Sequence, residues 1–313
     1  MVNMAELKKY TLEDLEAISG DIKALSVSSL CTAFSNPTHF PHTLIITAVA
    51  SCYGLPTKRA FDAPNVSAGL EFLVQRWNLL AERFPTGVSI GFFDREGTTF
   101  EKEIGVPNPN GTVSRVEMGY PIQAADHVFI PGAVEALQAQ QTQGLNILLT
   151  GQSGVARGYF TEADMAIHLE TVLRNAARQG VIFDAVLYCP HHPQEGQGEY
   201  KVDCGGRKGR GYGMLTEALA VFKTVGVPID IQRSFVVGDK KDDVLTAELF
   251  NQAWAARYGG ETPLRSFLVD TGYAGRTNDA LVRELKTEYS PAPVGIASIR
   301  ELPAALTQAG IYK

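Results

Sequence analysis

VSIGFFDREGTTF, residues 88–100, holds an apolar run that stops at an acid: Val88 to Phe93 read as a buried strand, Asp94 ends it, and Glu96, Gly97 and Thr98 follow. Further apolar runs occur downstream at LNILLT (145–150), FDAVLYC (183–189), SFVVGD (234–239), RSFLVD (265–270) and VGIASI (294–299). Amphipathic helical patterns separate them. That alternation predicts an α/β fold, a Rossmann-like parallel sheet with helices on both faces. The ligand crevice of such a sheet lies at the carboxyl ends of its strands, so Asp94, Thr150, Cys189 and Asp239 become candidate site residues.

The strongest helix start is TEAD, where Thr161 can cap a helix running to about Arg178 before Gly180 ends it. YGMLTEALAVFKTVG (212–226), KDDVLTAELFNQAWAARYGG (241–260) and SIRELPAALTQAG (298–310) read as further helices. Residues 1–85 differ in character. They carry helical patterns at Thr11–Leu25 and Val66–Phe84 around PHTLIITAVASCYG (41–54), a run that suits a helix or a strand. Pro85-Thr86-Gly87 is the expected boundary, giving a mainly helical N-terminal extension (1–85) and a second unit at 86–313.

Hydrophobic residues at 45% and charged residues at 20% describe an ordinary globular chain. A net charge of −6 supplies no basic field for nucleic acid and no polybasic segment for an anionic membrane surface. The N-terminus lacks the apolar core of a signal peptide, and no run approaches the ~18 apolar residues of a membrane span, so a cytoplasmic location is expected. Four cysteines, Cys31, Cys52, Cys189 and Cys204, are too few for a disulfide scaffold of this length. His39, His42, His127 and His168 lack partners at ligand spacing and read as structural, while Trp77 and Trp254 fall on helical patterns and read as core.

The acid-x-acid-Gly-Thr string at Asp94 and Glu96 resembles the first signature of the haloacid dehalogenase superfamily. The resemblance implies a fold with little or no cap, in which the first acid attacks phosphorus and the second serves as general acid and base. With one residue between them both side chains can return to one crevice, while the glycine lets the chain swing away. Thr150 followed by GQSG, Lys208 in RKGRGYGML, and Asp239 with Asp243 in VVGDKKDD supply the remaining parts in order. Charge on the transferring oxygens must be neutralised, which suits Thr150, the amides of Gly151, Gln152 and Ser153, and Lys208. Mg2+ needs hard oxygen ligands, offered by Asp94, Asp239 and Asp243, while the position of Glu96 offers its backbone carbonyl in the superfamily. Asp239 and Asp243 also suit a helix N-cap and a first-turn acid.

TGQSGVARGYFTEAD, LYCPHHP, DCGGRKG and VVGDKKDD are similar to the D-glycero-D-manno-heptose 1,7-bisphosphate 7-phosphatase and histidinol-phosphatase group, over roughly residues 88 to 275. That similarity implies contacts from Arg157, Arg207 and Lys208 to the substrate or its phosphate. It also implies a Zn2+ site at Cys189, His191 and Cys204, with Gly206 where the group has a fourth cysteine and His192 or Asp203 as substitutes. Other departures bear on rate and specificity. Glu96 replaces an aspartate, and a displacement on the order of 1 Å can cost ~100-fold, so slow turnover is expected. Gly151 replaces an asparagine, and the loop from Glu101 to Glu117 is long enough to reshape specificity. The expected activity is a Mg2+-dependent phosphatase acting on a small phosphorylated metabolite, a sugar phosphate, without presuming heptose. The alternatives are a catalytically impaired binding or scaffold protein, motivated by Glu96 and Gly206, and a polynucleotide 3'-phosphatase, which the acidic net charge disfavours.

Overall fold

The structure is a computed structural model, and it describes residues 12, 63–101, 103–107, 113–117, 128–260, 263–271, 283–285 and 292–312. Most of the expected Thr11–Leu25 helix, the 41–54 run, Cys31, Cys52, His39, His42 and His127 lie outside the described residues.

Six strands form one parallel sheet: β1 (Ser89–Asp94), β4 (Gly144–Gly151), β5 (Ala185–Cys189), β6 (Phe235–Gly238), β7 (Arg265–Val269) and β8 (Val294–Ile296), in the order β5-β4-β1-β6-β7-β8. All six apolar runs of the sequence are in it. β1 is central, pairing β4 from Ser89↔Gly144 to Asp94↔Leu149 and β6 from Gly91↔Phe235 to Phe93↔Val237. Every residue of β1 is buried, as the unbroken run implies for a strand covered on both faces. Gly91 is required there: a Cβ would lie 2.6 Å from the Phe93 ring and 2.8 Å from that of Phe235. Those rings meet edge-on at 5.8 Å.

The helices described over their whole length are α1 (Ala63–Arg83), α2 (Ala133–Gln143), α3 (Glu162–Arg178), α4 (Gly213–Thr224), α5 (Lys241–Tyr258) and α6 (Leu302–Gln308); residues 12 and 283–285 are also helical. Thr161 caps α3 as expected, accepting from Asp164 N while Asp164 Oδ2 accepts from Thr161 N at 2.9 Å. α1 buries Leu73, Trp77 and Leu80 in the same core as the sheet. It is tied down by Asp184, which accepts from Arg76 Nε and Trp77 Nε1, each at 2.9 Å, and from the Asn146 amide.

Three expectations change. The long connection after β1 is not all loop: β2 (Glu103–Pro107) and β3 (Val113–Glu117) pair antiparallel. The strand read at 294–299 stops at Ile296, because Ser298 accepts from Arg300 N and starts a 3-10 turn. The first helical cap of KKDD falls on Lys240 rather than Asp239.

Candidate active site

The sheet brings Asp94 and Thr150 to the carboxyl ends of β1 and β4, with Asp239 one residue past the end of β6. Asp243 joins them from the first turn of α5, its Oδ2 accepting from Lys240 N at 3.2 Å as the cap partner. Oxygens of Asp94, Asp239 and Asp243 lie within 4.8 Å of one another, and all three residues are buried. Gly238 makes the approach possible, since a Cβ there would come within 2.2 Å of the Asp243 carboxylate. The cap partner of α5 is therefore also a member of the carboxylate cluster.

Lys208 reaches this cluster from the loop before α4. Its Nζ donates to Asp94 Oδ1 and, at 2.8 Å, to Asp243 Oδ1. Lys240 Nζ lies 3.8 Å from Asp239 Oδ1. Burial opposes ionisation of Asp94, but the Lys208 and Lys240 ammoniums more than offset it and hold its carboxyl below the usual value. Burial likewise disfavours the charged form of Lys208, and Asp243 and Asp94 outweigh that to hold it above its ordinary value. Asp243 differs: burial pushes its carboxyl up to about 6, in spite of Lys208. One lysine shared between two acids leaves Asp94 as the anion and Asp243 as the weaker acid.

Glu96 stands at the edge of this cluster, its side chain 20% exposed. Its Oε1 accepts from Gln152 Nε2 at 3.3 Å, and the same nitrogen donates to Thr150 Oγ1 at 2.6 Å. Gln152 is itself anchored through its amide to Cys189 O. Thr98 Oγ1 lies 3.5 Å from Asp94 Oδ2. Gln152 thus joins Glu96 to Thr150, and Thr98 stands beside Asp94.

The remaining candidates are distributed differently. Gly151 ends β4 exposed, with open space around any added Cβ, so nothing occupies the place of the group's asparagine. Arg157 Nη1 donates to Ser153 Oγ at 2.5 Å and its Nε to Glu195 Oε2 at 2.6 Å, which ties both to the loop after β5. Arg207 is half-buried, and its charge acts on the Cys189 thiol and on His192.

A second cluster holds Cys189, His191 and Cys204, all buried, with ligand atoms within 4.8 Å. The two Sγ atoms are 3.3 Å apart, and Cys189 Sγ lies 4.0 Å from His191 Nδ1. The neighbouring Cys204 and burial push the Cys189 thiol well above its usual value. Neither expected substitute completes this set: His192 Nδ1 accepts from Glu195 N at 3.0 Å, and Asp203 Oδ1 from Gly205 N at 3.1 Å. Gly206, at the fourth-cysteine position, donates its amide to Cys204 Sγ instead.

Two metal chemistries fit these residues. Three buried carboxylates against two lysines present hard oxygen donors suited to a small divalent cation such as Mg2+. Two thiols and an imidazole present donors of the kind that Zn2+ takes.

Sequence reasoning passed over Arg95 and Lys240, and read His168 as structural. Arg95 is 1% exposed although it sits between two acids, a setting that by itself suits a solvated side chain. His168 is buried on α3 and meets Arg95. Their signal is weak, because only the fold brings residue 168 to residue 95.

No family model matches the chain. Among curated proteins, the D-glycero-beta-D-manno-heptose-1,7-bisphosphate 7-phosphatase of Pasteurella multocida is 38% identical over 158 residues, 50% of this chain and 74% of the relative. The protein of the same name from Vibrio cholerae is 40% identical over 137 residues, 44% of this chain and 70% of the relative. A crystal structure of D,D-heptose 1,7-bisphosphate phosphatase from B. bronchiseptica, complexed with magnesium and phosphate, aligns with a TM-score of 0.49 and 21% identity over 71% of this chain and 99% of that one. With identities of this size across more than two thirds of the curated relatives, the chain belongs to the D-glycero-beta-D-manno-heptose-1,7-bisphosphate 7-phosphatase family.

Proposed function

We propose that the chain is a Mg2+-dependent phosphatase that hydrolyses a sugar phosphate, or a similar small phosphomonoester, through an aspartyl-phosphate on Asp94. The observation that carries this reading is the position of Asp94: it ends the central strand, is buried, and is kept anionic by Lys208 beside two further carboxylates. A buried anion at a strand end, next to a cation that can also meet phosphate oxygens, is what nucleophilic attack on phosphorus needs.

Asp94 attacks phosphorus as the bond to the ester oxygen breaks, and Glu96 gives its proton to that leaving oxygen. In the second half Glu96 takes a proton from water as the water oxygen attacks phosphorus, which releases phosphate and restores the Asp94 carboxylate. Lys208, Thr150 Oγ1 and the amides following β4 hold the phosphoryl oxygens, with Arg157 and Arg207 reaching the rest of the substrate. Asp94, Asp239 and Asp243 would hold Mg2+, which supplies charge neutralisation between the anionic nucleophile and the anionic substrate. Gly151 leaves open space where the resemblance implies an asparagine, which favours a substrate different in shape.

Asp94→Asn is expected to abolish phosphate release from sugar phosphates in Mg2+; wild-type turnover in that variant would overturn the assignment. For the second cluster, metal analysis of purified protein is expected to give about one zinc per chain, lost in Cys204→Ser. Equal zinc content in both would exclude a site at these residues.

A further inference from the structure

Arg95 is among the largest wholly buried side chains, and it lies between the nucleophile and Glu96 in sequence. A buried guanidinium is costly unless its charge is matched and its donors are used. Both conditions are met by residues near the reaction. Arg95 Nε donates to Glu96 Oε1 at 2.6 Å, and Nη2 forms an ion pair with the same oxygen. Its Nη1 lies 2.8 Å from His168 Nε2, on α3.

Arginine has donors only, so the imidazole nitrogen facing Nη1 must accept. His168 is therefore neutral, with its proton on Nδ1. That makes it a buried backstop for Arg95 rather than a second cation, and it fixes the plane of the guanidinium from the side opposite Glu96. The Thr99 hydroxyl bonds Asp94 O at 2.9 Å and Arg95 O at 3.0 Å, which ties down the backbone between the two acids.

The contacts on Glu96 are one-sided. Arg95 and Gln152 both donate to Oε1, and none of these hydrogen bonds falls on Oε2. Glutamate is one methylene longer than the aspartate of the group, with one more rotatable bond to restrain.

We propose that Arg95, backed by neutral His168, is the positioning residue for Glu96, anchoring Oε1 so that Oε2 is the atom that transfers the proton. In the protonated acid Oε1 is the carbonyl-like acceptor that Arg95 and Gln152 continue to hold, while the Oε2 hydroxyl points its proton outward. That proton passes to the ester oxygen as the phosphorus–oxygen bond breaks and the Asp94–phosphorus bond forms. Oε2 then takes a proton from the water that cleaves the aspartyl-phosphate. This inference rests on Glu96 as the acid–base group.

The test compares two leaving groups through kcat/KM, which reports only the steps up to formation of the aspartyl-phosphate. Glucose 6-phosphate has an alkoxide leaving group that needs a proton, and p-nitrophenyl phosphate has one that needs little. Arg95→Met is expected to lower kcat/KM ~100-fold for the sugar phosphate, the effect of misplacing a reacting group by about 1 Å. For p-nitrophenyl phosphate the loss should stay within about 3-fold. Arg95→Lys, which keeps charge but loses the planar fork, should fall between. Glu96→Gln separates the two readings. If it lacks the leaving-group selectivity, the acid–base assignment itself is wrong and the positioning role falls with it. If Glu96→Gln is selective while Arg95→Met loses both substrates equally or neither, Arg95 only supports the fold and the proposal is overturned. Should Arg95→Met fail to fold, His168→Gln is expected to show a smaller selective loss, about 10-fold, and an unselective loss or none there overturns it equally.

Discussion

Asp243 carries the titration that links the site to pH. Burial raises its carboxyl to about 6, above the ordinary 3.8, so between those two values folding favours its protonated form. The sign follows. Its contribution to stability is largest below about pH 3.8 and is lost as pH rises toward 6. A divalent cation needs the ionised carboxylate and so competes with that proton. We expect Mg2+ to bind roughly tenfold more weakly at pH 5 than at pH 7, measured as the concentration giving half-maximal thermal stabilisation. Equal midpoints at the two pH values would show that Asp243 does not meet the ion. At this scale the sequence was informative where chemistry is tied to strand ends. Asp94, Asp239, Asp243 and Lys208 were all legible, and the structure brings them together. Arg95 and His168 were not, because a buried guanidinium and a solvated one look alike in a string of letters.

Elements were legible to the extent that their signals are local. The Thr161 cap is one such signal: hydroxyl, amide and Asp164 carboxylate lie within one turn. The Thr161 hydroxyl and amide hold the Asp164 carboxyl below its usual value, so this cap acts above about pH 3.8 and fades as pH falls through the lower folded value. Thr161→Ala should cost about 1 kcal/mol. It would lower Tm by roughly 2 °C near neutral pH, with Thr161→Ser close to wild type. No change in Tm would mean that α3 is held by packing alone, through Met165, Leu169, Val172 and Leu173. The β2–β3 hairpin shows the opposite case. Its signal was present in Asn110-Gly111 between EIGVP and TVSRVE, a turn pair between β-prone segments, but a long polar connection concealed it. α2 offered still less. Its N-cap Gly132 is left-handed and makes no side-chain cap, so nothing in the letters announces the start of the helix.

For the whole molecule, the division expected at residue 85 separates stretches of different sequence character, whereas the core runs across it. Trp77 and Leu73 are fully buried, and the Trp77 indole meets Phe222 of α4 edge-on at 5.2 Å. Arg76 adds hydrogen bonds to the carbonyls of Gln141, in the last turn of α2, and Gly144, at the start of β4, besides its ion pair with Asp184. Removing α1 would therefore leave an apolar face open, and it would strand the Asp184 carboxylate, 0% exposed, without its cation. Breaking one side of a buried ion pair costs about 3 kcal/mol or more, and deleting a buried tryptophan side chain about as much again. Both are large beside the roughly 5–15 kcal/mol stability of a folded chain. Trp77→Ala should then lower stability by about 3 kcal/mol, and a chain beginning at residue 86 should aggregate or bind a hydrophobic dye strongly at the temperature where the full chain is folded. Phosphatase turnover separates the possibilities. The site residues all lie beyond residue 93, so a shortened chain with full activity and an unchanged Tm would show α1 to be a dispensable attachment. Loss of both would place the functional unit's true beginning at or before Ala63.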